Sequence, residues 1–361
     1  MRWDNLRIDD QPGGGGQAPL FARGAVTRTF DTPGFRGMTF YEIQAKSIVS
    51  RVPDSSGVPF TYTVNPYRGC QHACAYCFAR NSHTYLDLDS GHDFDSKVIV
   101  NVNAPELLRA KLASPGWKGE HIAMGTNVDC YQRAEGRYRL MRPIIEALRD
   151  AANPFSILTK GTLILRDLDL LEQAAEVTAV GLNVSCGFTD RDLWRSVEPG
   201  TPAPERRLEA CATLNDHGLG CGVLMGPVIP FLSDSPAQLE AAVSSIAKAG
   251  ATHVTPIVLH LRPGTREWFM GWLREAHPEL GGRYAALYRG GAYANRDYQK
   301  RIAGQVADLA ERYGVGRRRG QVRSAGTGPR GDRGRPGSGR AGKGAGAPEG
   351  AAGEPEQLTL L

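Results

Sequence analysis

The sequence predicts an α/β protein in which about six β/α units build a parallel sheet, and three observations carry that prediction. Strand-like apolar runs alternate with helical ones from residue 60 to residue 275, the pattern left by parallel strands joined through crossover helices. Runs such as Gly222-Val223-Leu224-Met225 and Ile257-Val258-Leu259 are continuously apolar, as strands covered on both faces have to be. The 361 residues, 41% hydrophobic and 22% charged, suffice for one large core, and a single α/β barrel of about 200–250 residues is an ordinary outcome at such a length.

Taken in order, the strands and their helices are 60–65 with 104–113, 121–128 with 140–151, 155–159 with 165–177, 179–185 with 205–217, 221–229 with 236–249, and 253–261 with 265–275. Local signals support these limits. Pro204 occupies a first helical position, Leu208, Cys211 and Leu214 recur at threes on one face, and Gly218 ends that helix. Residues 1–40, rich in Gly, Arg and Thr without periodicity, read as an irregular N-terminal arm that packs around the main domain, 41–314. Residues 315–361 are Gly, Arg, Ala, Ser and Pro with almost no large apolar side chain before the last few positions, the composition of a disordered tail.

The charge is unevenly spread. From Val315 onward there are nine Lys and Arg against four Asp and Glu, so the tail carries all of the net +5, and residues 1–314 hold 34 of each sign. A general pull on phosphate therefore has to come from the tail or from a local patch. One such patch is Arg133, Arg137, Arg139 and Arg142 interleaved with Tyr131 and Tyr138. It suits either a phosphate backbone with a stacked base or the solvated face of a helix. The N-terminus lacks the apolar core of a signal peptide, and the longest uncharged stretch, 218–232, contains Pro227 and Pro230 and is too short to span a bilayer. The expectation is a soluble cytoplasmic protein without a membrane partner. Seven cysteines, three clustered and four scattered, fit a reducing compartment better than a disulfide framework.

The clustered three are Cys70, Cys74 and Cys77 in Asn65-Pro66-Tyr67-Arg68-Gly69-Cys70-Gln71-His72-Ala73-Cys74-Ala75-Tyr76-Cys77-Phe78. Three thiolates so closely spaced can hold three irons of a cubane iron-sulfur cluster and leave the fourth iron open to a small molecule. The competing reading is a zinc knuckle with His72 or His83 as fourth ligand, although the chain lacks the second CxxC arm usual for zinc. The loop follows the first strand, and barrels of this kind place their chemistry at the C-terminal ends of the strands.

The spacings of three and two residues, with Tyr76 directly before the third Cys, closely resemble the signature of the radical S-adenosylmethionine (SAM) superfamily. Stretches 65–80, 125–135, 158–167 and 226–234 resemble the branch similar to spore photoproduct lyase, a radical SAM DNA-repair enzyme. The resemblance implies a partial (β/α)6 TIM-like barrel, with a [4Fe-4S] cluster on Cys70, Cys74 and Cys77. It also implies S-adenosyl-L-methionine bound beside Tyr76, Gly125, Thr126, Asn127, Asn183, Ser185 and Pro227, with Lys160 and Arg166 as candidates for an anionic group. Reductive cleavage of SAM to a 5′-deoxyadenosyl radical follows, with an electron donor such as flavodoxin or ferredoxin.

Departures from the branch matter. Where it commonly reads Asp-Pro-Tyr-Gln-Pro, this chain has Asp129-Cys130-Tyr131-Gln132-Arg133. Cys130 is thus either a hydrogen-atom donor to a substrate radical, a role a Cys has in the lyase, or a small residue tolerated in place of Pro; Cys186 is the rival donor. The final Gln357-Leu358-Thr359-Leu360-Leu361 resembles the peptide by which bacterial repair proteins bind the sliding clamp, with hydrophobic anchors on a long linker. Three functions remain open: a radical SAM enzyme acting on a DNA lesion or nucleic-acid base, one modifying a peptide, protein or small metabolite, or a non-catalytic zinc-stabilised adaptor.

Overall fold

The computed structural model describes the backbone of Arg7–Ile8 and residues 25–316. The chain opens with β1 (Arg7–Ile8), β2 (Val26–Thr29), β3 (Thr39–Ile43) and β4 (Val49–Arg51), followed by β5 (Tyr62–Val64) and β6 (Tyr67–Arg68). After the cysteine loop come α1 (His92–Ser96), β7 (Lys97–Asn101) and α2 (Ala104–Leu112), then β8 (Ile122–Met124), α3 (Glu135–Tyr138), α4 (Met141–Asp150), β9 (Phe155–Thr159) and α5 (Leu168–Val177). The remainder is β10 (Val180–Ser185), α6 (Arg191–Val197), α7 (Pro204–Asp216), β11 (Gly222–Val228), α8 (Pro236–Lys248), β12 (Val254–Val258), α9 (Thr265–Ala276), α10 (Gly281–Leu287) and α11 (Arg296–Arg312).

The main sheet runs β12-β11-β10-β9-β8-β5-β4. Its six strands from β5 to β12 are parallel and stand in chain order, and β4 closes one edge antiparallel to β5. These are the six expected β/α units. The registers align Val64, Met124 and Ile157 across three strands, all fully buried, so the apolar runs interdigitate beneath the helices. In α4 the face made by Met141, Ile144, Ile145 and Leu148 is wholly buried, worth about 1.5–3 kcal/mol per side chain. The helix starts obey ordinary rules: Ser235 and Gln238 form a reciprocal capping box on α8, and Asp190 accepts from two backbone N–H groups of α6.

The N-terminal arm is not irregular where the structure describes it. A second sheet, β1-β2-β3-β7-β6, is built from β1, β2 and β3 together with two strands flanking the cysteine loop. Only Phe40 of β3 is fully buried and none of β2 is, so the alternation that marks a strand was too weak to read; β7, with Val98, Ile99 and Val100 buried, lay hidden inside the first β/α unit. Phe30, Phe35 and Phe40 cluster with ring centroids 5.0–5.7 Å apart and hold this sheet to the domain. Two other limits move. The expected strand 121–128 stops at Met124 because Gly125 turns to φ +76, and the helix expected from 165 is a 3-10 turn, Thr162–Asp167, before α5. The long α11 was not foreseen; Tyr298, Ile302, Val306 and Leu309 form its buried face. The tail beyond 316 lies outside the described residues.

Candidate active site at the strand ends

The cysteine loop is clamped from three sides. Arg80, fully buried, donates to the Cys74 carbonyl at 3.0 and 3.2 Å and to Asp95 at 2.9 Å, with its guanidinium 4.7 Å from the Trp268 ring centroid. The Gln132 carboxamide donates to the Gly69 carbonyl and accepts from the Gln71 N–H. Gly69 sits at φ +82 with the Lys97 carbonyl 2.6 Å from where a Cβ would be, so the chain crosses β7 at the loop entrance without a side chain.

The loop faces a cavity open to solvent. Cys70, Cys74, Cys77 and Tyr76 form one wall, and the opposite walls are Gly125, Thr126 and Asn127 after β8, Leu158 and Thr159 on β9 with Lys160 just beyond it, Ser185 on β10, Pro227 on β11, and Leu259 and His260 beyond β12. Five adjacent strands would spread over roughly 19 Å if flat; their convergence on one cavity means that the sheet is concave there. Gly125 could not be another residue. A Cβ on it would lie 1.8 Å from the Leu158 carbonyl oxygen, so the backbone of 125–127 rests directly against β9.

The polar groups are held by their neighbours. Asp129 accepts from the Tyr131 N–H at 2.9 Å, the Thr159 hydroxyl at 2.6 Å and the Lys160 N–H at 2.6 Å, and its other face meets His72 Nδ1 at 3.4 Å. Lys160 Nζ donates to Ser185 Oγ at 2.7 Å and lies 5.7 Å from the Tyr76 ring centroid. The Tyr76 hydroxyl donates to Glu198, which also pairs with Arg207, and neither member of that pair is more than 1% exposed. Burial alone would raise the Glu198 carboxyl; the charges of Arg207 and Lys160 outweigh it and hold the pKa below the usual carboxylate range. His72 is pushed down to about 4 by burial against the opposing pull of Asp129, and is neutral at pH 7.

Three unpaired thiols on one wall suit a cluster ligand set. Burial raises all three thiol pKa values, so loading with metal releases protons. Of the two histidines offered as a fourth zinc ligand, His83 bonds the Lys97 carbonyl through Nε2 at 2.9 Å with its ring on Phe94, and His72 faces Asp129. Among the described residues no three His, Cys, Asp or Glu side chains converge on one metal-ion position.

The structure places several expected residues elsewhere. Asn183 does not line the cavity; its Oδ1 is bonded to His253 Nε2 at 2.8 Å, at the start of β12. Cys186 follows the inward Ser185, so strand alternation turns it to the opposite face, where its Sγ lies 3.4 Å from the Phe188 carbonyl. Cys130 follows Asp129 and is 1% exposed in the main core. Neither thiol lines the cavity as a hydrogen-atom donor would have to. Arg166 is spent on Glu135 at 2.5 Å and Asp167 at 2.8 Å. Three members of the Arg and Tyr patch are held by carboxylates: Tyr131 bonds Asp167, Tyr138 bonds Glu42 and Arg142 bonds Asp169. Sequence reasoning missed Asp129 as a hub and Glu198 with Arg207; in the sequence these are scattered charges, and only the fold shows them buried.

Residues 64–241 match the Radical SAM superfamily, and the chain belongs to that superfamily, whose members use a [4Fe-4S] cluster and SAM. It is 47% identical over 315 residues to Uncharacterized protein Rv2578c of Mycobacterium tuberculosis, covering 87% of this chain and 93% of that one. Uncharacterized protein MJ0683 of Methanocaldococcus jannaschii is 35% identical over 173 residues, 48% of this chain and 62% of that one. In fold the chain is similar to spore photoproduct lyase with bound AdoMet and dinucleoside spore photoproduct, with a TM-score of 0.57 at 14% identity, covering 76% of this chain and 79% of the other. Among the described residues no helix is long and apolar enough to cross a membrane.

Proposed function

We propose that this protein is a radical SAM enzyme that carries a [4Fe-4S] cluster on Cys70, Cys74 and Cys77, binds SAM in the cavity and acts on a nucleic-acid base or lesion. The observation that carries the reading is the meeting of three unpaired thiols with five strand ends on one cavity. When bound, the cluster supplies the electron that splits the SAM sulfonium into methionine and a 5′-deoxyadenosyl radical, which takes a hydrogen atom from substrate.

The chain's own residues position the ligand. Lys160 presents its ammonium group to a carboxylate, held by Ser185 and by the backbone bond to Asp129. Tyr76, fixed through Glu198, offers a ring face, and Gly125 lets the backbone of Thr126 and Asn127 reach the ligand. Leu158, Leu224, Ile257 and Leu259 keep the remaining wall apolar and exclude water. A nucleic-acid substrate is supported by the likeness of fold to an enzyme whose structures hold a dinucleoside photoproduct. An electron donor such as flavodoxin or ferredoxin, DNA, and a sliding clamp captured by Gln357, Leu358, Leu360 and Leu361 complete the proposed partners; the clamp peptide lies outside the described residues.

The test is anaerobic reconstitution with iron and sulfide, then reduction in the presence of SAM. The expected result is a brown protein that forms 5′-deoxyadenosine and methionine, with both properties lost in Cys74→Ala. A colourless wild type, or cleavage that survives Cys74→Ala, overturns the cluster assignment. Product formation without any binding of DNA moves the substrate to a peptide or metabolite.

A further inference from the structure

At the outer rim of the cavity three aromatic rings lead from the cluster loop to the surface. Phe78, the residue after Cys77, has its ring centroid 5.7 Å from that of His260 with 37° between planes; His260 is 5.7 Å from Tyr293 with 31° between planes. Phe78 and His260 are half-buried cavity residues, whereas Tyr293 is 41% exposed. Nothing in core packing accounts for a large ring left on the rim. Its position is nonetheless fixed, by the bridge pairing it with His260 and by the Leu261 N–H bonded to the Ala292 carbonyl at 2.7 Å.

Two polar groups accompany the rings. His260 Nε2 is buried with no hydrogen-bond partner, a cost that a ligand donor or acceptor at this position removes. Arg262 donates to the Tyr293 hydroxyl at 3.2 Å, and among the described residues no carboxylate pairs with it. Its cation stands beside the outermost ring.

We propose that Phe78, His260, Tyr293 and Arg262 form the substrate platform of this cavity, and that the substrate is a nucleotide: a base lies against the rings and its phosphate meets Arg262. This deepens the proposed function and rests on it. Ring faces tilted by 31–37° from one to the next and rising from inside to outside offer successive surfaces to a planar heteroaromatic group, because every base has a π-face for an aromatic side chain. A guanidinium at the outer end matches the phosphate that a base always carries next to it. Burial, aided by Arg262, lowers the His260 pKa to about 4, so at pH 7 the ring is neutral and offers its face to a base without adding charge. The nucleotide can be free or part of a single strand.

The experiment uses the full-length reconstituted protein with SAM bound, and measures fluorescence anisotropy of a 5′-labelled single-stranded octathymidylate, with thymidine monophosphate as competitor. Tyr293→Ala is expected to weaken binding between fivefold and about 150-fold, the range for loss of one stacked base. Tyr293→Phe keeps the ring and is expected to bind within about twofold of wild type, since only one exposed hydrogen bond is lost. Arg262→Gln is expected to weaken binding and to reduce the slope of log Kd against log salt by about 0.7, one phosphate contact on a single strand. Circular dichroism checks that each variant is folded. Competition by the mononucleotide identifies a free nucleotide as ligand, and competition by oligonucleotides alone identifies a strand; both support the platform.

Tight binding unchanged in Tyr293→Ala and Arg262→Gln overturns the platform while leaving a nucleic-acid substrate standing. Active SAM cleavage with no binding of either ligand overturns the platform and the nucleic-acid substrate together, and leaves the cofactor chemistry intact.

Discussion

Glu198→Gln isolates the most deeply buried charge pair in the site. Glu198 is 0% and Arg207 1% exposed, and the carboxylate accepts from Arg207 and from the Tyr76 hydroxyl. The amide keeps the shape and loses the charge. Arg207 retains the carbonyls of Pro202 and Ser185 and the Thr201 hydroxyl, yet its cation is left without a counter-charge in a low-dielectric interior. Breaking one side of such a pair costs about 3–5 kcal/mol, and at about 2 °C per kcal/mol for a domain of this size the melting temperature should fall by about 6–10 °C. Thermal unfolding followed by circular dichroism under anaerobic conditions is the measurement. Replacing both partners, Glu198→Gln with Arg207→Met, should recover at least about 2 kcal/mol of that loss, because no charge is then stranded. A single variant that melts within 2 °C of wild type would refute the reasoning, at an uncertainty of about 1 kcal/mol; so would a double variant showing the plain sum of the single effects.

Three further outcomes follow from the site. Gly125→Ala places a Cβ 1.8 Å from the Leu158 carbonyl oxygen at φ +76, so soluble yield and iron content after reconstitution should both drop sharply; normal iron loading would contradict the close approach of β8 to β9. Lys160→Ala should weaken SAM binding about tenfold, the scale of a charge-assisted hydrogen bond, with the cluster spectrum retained; calorimetric titration of SAM into the reconstituted protein decides it. Because the His260 pKa falls from 6.5 to about 4 on folding, its contribution to stability is full above pH 6.5 and is lost as pH falls toward 4. The difference in unfolding free energy between wild type and His260→Gln should therefore shrink by about 3 kcal/mol between pH 7 and pH 4, measured by denaturant titration; a constant difference would show that the imidazole protonates freely in the folded state.

The six β/α units were legible because their strands are buried on both faces and therefore continuous in apolar residues, as Gly222–Val228 illustrates. The cysteine loop stands out for a different reason: three thiols within eight residues are conspicuous by their spacing alone. The second sheet was not. Thr39–Ile43 has one fully buried side chain, and its partner β7 comes 54 residues after Ile43 in the chain, so no local period marks the pair. Cys130 and Cys186 show the limit from the other side. Both sit beside residues of the site: Cys186 is one position past the inward Ser185 at the end of β10, and Cys130 lies in the turn after Asp129 with its side chain in the core. Asn183 has the right parity on β10 but lies too far from the strand end to reach the cavity.

The sheet pairing around the cysteine loop has a consequence for how the chain can be shortened. The loop leaves β6, which pairs with β7; β7 pairs with β3, and β3 with β2. A fragment beginning at residue 60 would contain every cysteine and all six parallel strands, yet β7 would lose its neighbour on one side. The Lys97 carbonyl packed against Gly69 stands at the head of that strand, and the Phe94 carbonyl that receives the Cys70 N–H lies in α1 just before it. The residues ahead of the parallel sheet thus act as a brace for the cysteine loop, and trimming them is expected to loosen that loop before it unfolds the sheet.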